Sequence, residues 1–173
     1  MVYVCSYQSP FGKLTAASNG MALTGLWFEG QKYFGSTLSE AYEERQLPVF
    51  AKMKDWLDLY FYGQNPDFMP PLALCGSDFR KSVWKIIRQI PYGQTMTYGQ
   101  IAKEMARQMG VAQMSAQAVG SAVGRNPISI IVPCHRVVGS NGSLTGYAGG
   151  VERKAALLAL EQVDLGRFQA EGI

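Results

Sequence analysis

Apolar and polar side chains alternate from the first residues of this chain. Val2, Val4 and Ser6 interleave with Tyr3, Cys5 and Tyr7, the period of two expected of a strand, and Ser9-Pro10-Phe11-Gly12 supplies a turn. Lys13–Ala17 and Ala22–Phe28 read as short strands around Ser18-Asn19-Gly20, whose Asn-Gly pair is a hairpin signal. Pro48 opens a helix in which Phe50, Met53, Leu57 and Tyr60 recur at helical spacing, ending near Gly63. Residues 64–76, with Pro66, Pro70, Pro71 and Gly76, read as a linker, so two domains are expected, 1–76 and 77–173.

The second half turns helical. Ser77 can cap a helix that places Phe79, Val83, Ile86, Ile87 and Ile90 on one face, and Pro91-Tyr92-Gly93 stops it. Thr97-Tyr98-Gly99-Gln100 has the form of a capping box and opens a second helix through Ile101, Ala102, Met105 and Ala106, which Gly110 ends. A third helix runs from Ser115 to about Gly124. Two helices around a short Gly-containing connection suggest a helix-turn-helix, with two ordinary core helices as the alternative. Ile128–Val132 reads as a buried strand or extended segment, and Ser140-Asn141-Gly142-Ser143 as a hairpin resembling a wing. A final helix over about Val151–Val163 carries Ala155, Leu158 and Glu161. The fold class expected is an α/β N-terminal domain with an antiparallel sheet and a mainly helical, winged helix-turn-helix C-terminal domain.

Composition narrows the class. A hydrophobic fraction of 47% against 17% charged residues supports a packed core and excludes disorder. No apolar run approaches the roughly 20 residues of a membrane span, and no signal peptide is evident, so a cytoplasmic protein without membrane contact is expected. Cys5, Cys75 and Cys134 are too few and too far apart for a disulfide framework, and the single histidine, His135, argues against a zinc site. No metal and no cofactor are expected. Residues 1–76 carry a net charge of −2 and residues 77–173 one of +5, so any polyanion would meet the C-terminal half.

Cys134 is the residue with chemistry to explain. It follows an apolar run and Pro133, and precedes His135 and Arg136. A packed, inert thiol is one reading. A nucleophile is the other, because an adjacent imidazole promotes the thiolate form. On an extended strand the two side chains would point to opposite faces, so their coupling needs a turn or an intervening water, the water relay being simpler. Glu161 is the candidate carboxylate to orient His135, with Glu152 as the alternative.

The segment Asn126-Pro127-Ile128-Ser129-Ile130-Ile131-Val132-Pro133-Cys134-His135-Arg136-Val137-Val138-Gly139 resembles the active-site segment of the O6-alkylguanine-DNA alkyltransferases, also called methylated-DNA–protein-cysteine methyltransferases. The similarity extends through Gly146-Tyr147-Ala148-Gly149-Gly150 to Glu161, and back over Phe79–Tyr98 and Ala116–Val123; it is weaker around Trp27-Phe28. This resemblance implies an N-terminal domain of ribonuclease H-like topology. It also implies DNA repair by stoichiometric, irreversible transfer of an alkyl group from O6 of guanine, with O4 of thymine as a further candidate, to Cys134. The base would be everted from a duplex contacted in its minor groove, by a protein acting as a monomer. It further implies that His135 deprotonates Cys134 through a water, that Glu161 orients His135, that Asn126 braces the turn before the active-site segment, and that Tyr98 donates toward the guanine ring or meets the rotated phosphate. The carbonyls of Cys134 and Val137 would accept from the exocyclic amine, and Tyr147, Ala148 and Val123 would shape the pocket. Ala116, Ala118, Gly120, Ser121 and Ala122 would let the third helix approach the groove, with tight helix packing as the bland alternative.

Two departures stand out. Where family members commonly carry a recognition-helix arginine that fills the gap left by the everted base, this chain has Gln117, with Arg125 nearby for a phosphate. Some relatives hold a structural zinc with N-domain Cys and His residues that are missing here, so Cys5 and Cys75 are expected to be core thiols. The alternative function is a non-catalytic, alkyltransferase-like lesion-binding protein, in which another residue stands in place of the cysteine. A winged-helix regulator would leave Cys134, His135 and Glu161 without a role.

Overall fold

The structure, a computed structural model, describes residues 1–39 and 41–168. The chain divides into one unit of residues 1–75 with 127–129 and a second comprising 76–126 and the residues from 130 onward.

The first unit is a four-stranded sheet with a helix. Strands β1 (Val2–Ser9), β2 (Gly12–Ser18) and β3 (Leu23–Phe28) form an antiparallel meander, and β4 (Tyr42–Glu44) pairs with β1 in parallel, giving the order β3-β2-β1-β4. The two hairpins fall where the turn residues predict, and β3 is buried along its whole length. Helix α1 (Pro48–Phe61) starts on a proline at its first position and buries Val49, Phe50, Met53, Trp56, Leu57 and Tyr60. Edge strand β4 has no sequence signature, being three exposed residues. Pro127–Ser129 belongs to this unit because Pro127 O accepts from Leu26 N at 2.8 Å and Ser129 N donates to Leu26 O at 2.8 Å.

The second unit begins with α2 (Asp78–Ile87), capped by the Ser77 hydroxyl, which accepts from Arg80 N. A two-residue strand, β5 (Met96–Thr97), leads into α3 (Tyr98–Met109), whose capping box is complete: Thr97 accepts from Gln100 N and Gln100 accepts from Thr97 N. Gly110 ends α3 at a φ of 67°, a left-handed position that glycine occupies without penalty. Helix α4 (Ala116–Gly124) follows Ser115, whose hydroxyl caps Ala118 N, and the buried Trp84 indole donates to Ala122 O at 2.8 Å, anchoring α4 to α2. Cys134–Arg136 forms a 3-10 turn, β6 (Val137–Val138) pairs in parallel with β5, and α5 (Val151–Leu160) closes the core.

Three elements differ from the sequence expectation. Residues 129–131 turn instead of forming a strand, with Ile130 at a φ of 70°. An apolar run of five marks burial, and burial alone does not distinguish a strand from a turn. The wing is a tight turn closed by Gly139 N donating to Ser143 O at 2.8 Å, since β6 takes β5 as its partner. Helix α5 stops at Leu160 because Gln162, at a φ of 65°, donates to Ala159 O while Val163 donates to Leu158 O, the paired bonds of a Schellman ending. No helix among the described residues is long and apolar enough to cross a membrane.

Candidate functional site

Cys134–Arg136 is a turn, not the extended strand that would send neighbouring side chains to opposite faces. Three consecutive residues in 3-10 conformation all point into the second unit: Cys134 is 3% exposed, His135 fully buried and Arg136 8% exposed. Asn126 reaches the turn from the end of α4. Its amide donates to Val132 O at 2.8 Å and to Cys134 Sγ at 3.1 Å, so one side chain holds both the approach to the cysteine and its sulfur.

His135 Nε2 lies 2.6 Å from Glu161 Oε2. The other oxygen, Oε1, accepts from Arg136 Nε at 2.8 Å and from Gly93 N at 2.9 Å, while Arg136 Nη1 donates to Ile90 O at 2.8 Å. Burial works against ionisation of Glu161, but its bonds to His135 and Arg136 outweigh that and hold its carboxyl down at about 2. Burial pushes His135 below the usual imidazole range against the pull of Glu161. The charge pair is therefore Arg136 with Glu161, and the imidazole is neutral, a form that can take up a proton. Glu152 is exposed in the first turn of α5.

Burial also pushes the Cys134 thiol up, to about 11, although Asn126, Lys154 and backbone N–H groups favour the thiolate. The resting sulfur is thus a protonated thiol, and ionisation has to accompany the reaction. A neutral imidazole on the adjacent residue is a group chemically able to take a thiol proton.

Tyr98, the first residue of α3, donates from its hydroxyl to Thr145 O at 3.1 Å, and burial with the nearby Cys134 raises its phenol to about 12, so it remains a donor. A Cβ on Gly146, whose φ is 94°, would run into that hydroxyl; glycine there permits the close approach. Tyr98, Ala116, Gln117, Gly120, Ser121, Thr145 and Gly146 line a cavity of about 550 Å³. Four of these come from the exposed side of α4, so the helix and the Tyr98 hydroxyl share one opening.

Comparison with known proteins decides the family. Residues 78–163 match the model described as 6-O-methylguanine DNA methyltransferase, DNA binding domain, and residues 2–74 match its ribonuclease-like domain. The methylated-DNA–protein-cysteine methyltransferase of Mycobacterium leprae is 43% identical over 162 residues, covering 94% of this chain and 93% of that protein; the protein of the same name from Haemophilus influenzae is 39% identical over 163 residues, covering 94% and 87%. The crystal structure of Mycobacterium tuberculosis OGT in complex with DNA superposes with a TM-score of 0.81 at 42% identity, covering 97% of this chain and 96% of that one.

The chain belongs to the methylated-DNA–protein-cysteine methyltransferases.

As in the sequence expectation for this methyltransferase, the N-terminal part is ribonuclease-like and the C-terminal part a DNA-binding domain. Cys134, His135, Glu161 and Asn126 come together in one buried cluster, and Tyr98 borders it. Ala116, Gln117, Gly120 and Ser121 line the cavity, whereas Ala118 is half-buried and Arg125, exposed, caps the end of α4. Tyr147 is buried with its ring 6.4 Å from that of His135, Ala148 is half-buried, Val137 is fully buried, and Val123 belongs to the buried face of α4 with Val119 and Ala122. Cys5 is half-buried, and Cys75 is exposed, a correction to its expected place in the core: it lies at the end of the Pro-rich connection, where little packs over it. No group of three metal-ligating side chains occurs among the described residues.

Two cations of the site were missed. Arg136 ties Glu161 to the turn at Ile90–Gly93. Lys154, on α5, is fully buried; its ammonium donates to Val137 O and, at 3.2 Å, to Thr145 O, and lies 5.9 Å from the centre of the Tyr98 ring. The signal for Lys154 was present: positions 154, 158 and 161 share one helical face, so a lysine at 154 had to lie with Leu158 and Glu161.

Proposed function

We propose that this protein repairs DNA by a single-turnover transfer of an alkyl group, a methyl group in the simplest case, from O6 of guanine in duplex DNA to Cys134. The observation that carries the reading is the buried turn in which Asn126 holds the Cys134 sulfur beside a His135–Glu161 pair. In the proposed reaction His135 takes the thiol proton, through a water, and the imidazolium so formed is stabilised by Glu161. The sulfur attacks the alkyl carbon; the S–C bond forms as the C–O6 bond breaks. The bond's electron pair stays on the guanine, which takes up a proton from the donors around it, with Tyr98 placed to supply a hydrogen bond. The products are an unmodified guanine and a thioether on Cys134, so each molecule reacts once.

The substrate base has to leave the stack to reach a buried sulfur. Residues 77–173 would bind the duplex through its minor groove as a monomer, in the cytoplasm, with Cys134 O and Val137 O accepting from the exocyclic amine and Tyr147 and Ala148 closing over O6. Helix α4 carries no charged residue, which suits close approach of its small side chains. Gln117, at its exposed start beside the cavity, would fill the space of the everted base, and Arg125 would meet a phosphate. The Gln117→Ala variant is expected to lose about tenfold in transfer rate on duplex DNA while keeping its rate on free O6-alkylguanine base. Equal rates for both proteins on the duplex would remove Gln117 from the role.

Incubation with a duplex carrying labelled O6-methylguanine tests the function. The expected result is an intact-mass gain of one methyl per protein molecule. Lesion binding without mass gain would select the non-catalytic lesion-binding alternative, which the presence of Cys134 argues against. Preference for one undamaged sequence would select a regulator.

A further inference from the structure

Ile130, in the segment that leads to Cys134, is buried and has a left-handed backbone with a φ of 70°. A β-branched side chain disfavours that conformation, which persists only where its neighbours hold it. Both sides of the turn are held. Toward the cysteine, the Asn126 amide donates to Val132 O at 2.8 Å and to Cys134 Sγ at 3.1 Å, and Cys134 N donates to Val132 O at 2.8 Å. On the other side, Pro127–Ser129 runs along β3: Leu26 N donates to Pro127 O and Ser129 N to Leu26 O, each at 2.8 Å. The buried Ser129 hydroxyl then donates to Gln31 Oε1 at 3.2 Å. Gln31 is itself buried, just past the end of β3. Its Oε1 also accepts from Phe28 N at 2.8 Å, and its Nε2 donates to Lys32 O at 3.2 Å. The Phe28 N–H can only donate, so the amide oxygen must face it, and the Ser129 hydroxyl has to be the donor of the bond they share. The Gln31 side chain is thus fixed by its own segment before Ser129 is considered.

We propose that Gln31 is a positioning residue of the alkyl transfer: fixed at the end of β3, it holds the Ser129 hydroxyl and so keeps the Ile130 turn in the conformation from which Asn126 reaches the Cys134 sulfur. The inference rests on Cys134 as the alkyl acceptor and adds a residue of the first unit to those that aim it. The strain of a left-handed isoleucine and the contribution of one neutral buried hydrogen bond are of the same order, so loss of the bond is enough to let the turn relax. A relaxed turn moves Val132 O, and with it the sulfur that shares the Asn126 amide. Small misplacements of a reacting atom slow chemistry steeply. A Gln31 that only stabilised its own unit would leave the transfer rate of the folded protein unchanged, and the two roles separate there.

The test compares the wild type with Ser129→Ala, Gln31→Met and the double variant, all well below their thermal midpoints. Three quantities are read: single-turnover methyl transfer at saturating O6-methylguanine duplex, duplex binding, and amide hydrogen exchange over residues 130–136. Each single variant is expected to transfer about tenfold more slowly, with binding within about twofold, and to exchange those amides about fivefold faster. The double variant should be no slower than the slower single one, because both substitutions remove the same bond. An unchanged transfer rate or unchanged exchange in Ser129→Ala overturns the proposal, whatever its thermal midpoint, and so do losses that multiply in the double variant. If Gln31→Met does not fold, Ser129→Ala decides alone, since it leaves the Gln31 bonds to Phe28 N and Lys32 O in place. A wild type that takes no methyl rejects the transfer reading instead; in that case faster exchange in Ser129→Ala still supports the hold on the turn, and unchanged exchange overturns it.

Discussion

Replacing Cys134 with alanine is expected to abolish alkyl transfer, below the detection limit of a single-turnover assay, while duplex binding changes by no more than about twofold. The asymmetry follows from where the sulfur sits. It is 3% exposed and touches Asn126, so it contributes little surface for a DNA backbone to grip. Its removal deletes the sulfur, the softest nucleophile of the cluster and the best suited to an alkyl carbon. Asn126 keeps its bond to Val132 O, and the small cavity left behind should cost about 1 kcal/mol of stability. A Cys134→Ala protein that still gained a methyl would place the acceptor elsewhere. The check is intact mass after incubation, beside a binding titration on the same damaged duplex.

Glu161→Gln is the second large effect, and it should strike stability and rate together. The carboxylate faces three donors or partners at once: His135 on one oxygen, Arg136 and Gly93 on the other. An amide has a single acceptor oxygen, so it must turn its NH2 either to His135 or to Arg136 and Gly93. Either way the buried Arg136 loses its counter-ion, a loss of about 3–5 kcal/mol for a broken buried pair. At this chain length that corresponds to a fall of roughly 10 °C in thermal midpoint. Transfer should slow by about a hundredfold, since the imidazolium is no longer stabilised. In the wild type the same carboxylate sets an acid limit. Its pKa is depressed from 4.5 to about 2, so the stabilisation, roughly 3 kcal/mol, is complete above about pH 4.5 and disappears as pH falls toward 2. Thermal scans of both proteins across that range should converge at the acid end.

The features legible in the sequence were those written in local chemistry. Ser77, the Thr97–Gln100 capping box, Gly110 and Ser115 each mark a helix end through bonds to backbone three or four residues away, and each lies where it was expected. The Asn19-Gly20 turn and the proline that starts α1 are of the same kind. What escaped depends on distant partners. Strand β4 exists because Tyr42, Glu43 and Glu44 pair with Val2, Tyr3 and Val4, forty residues earlier, and exposed residues of that kind carry no pattern. The apolar run at 128–132 announced burial and concealed a turn. At the site, the neighbours His135 and Cys134 were apparent, as was a carboxylate on the last helix. The roles of Arg136 and Lys154 were not, because charged residues are ordinarily taken for surface, and only the packed structure shows two cations held inside.

Raising of the Cys134 thiol by burial also changes the expected resting state. A sulfur held ionised in advance would be open to oxidation and to stray electrophiles; a protonated one, with a neutral imidazole beside it, stays quiet until a base enters the pocket. Transfer should therefore depend far more on eversion of the damaged base than on the reactivity of the free thiol.

The most direct measurement is to locate the methyl group after reaction with an O6-methylguanine duplex. Trypsin separates residues 126–136, which contain Cys134, from the peptides of Cys5 and Cys75. The expected result is one methyl on the Cys134 sulfur, equal in amount to the protein consumed. An unmodified Cys134 beside repaired DNA, or a methyl on Cys5 or Cys75, would contradict it.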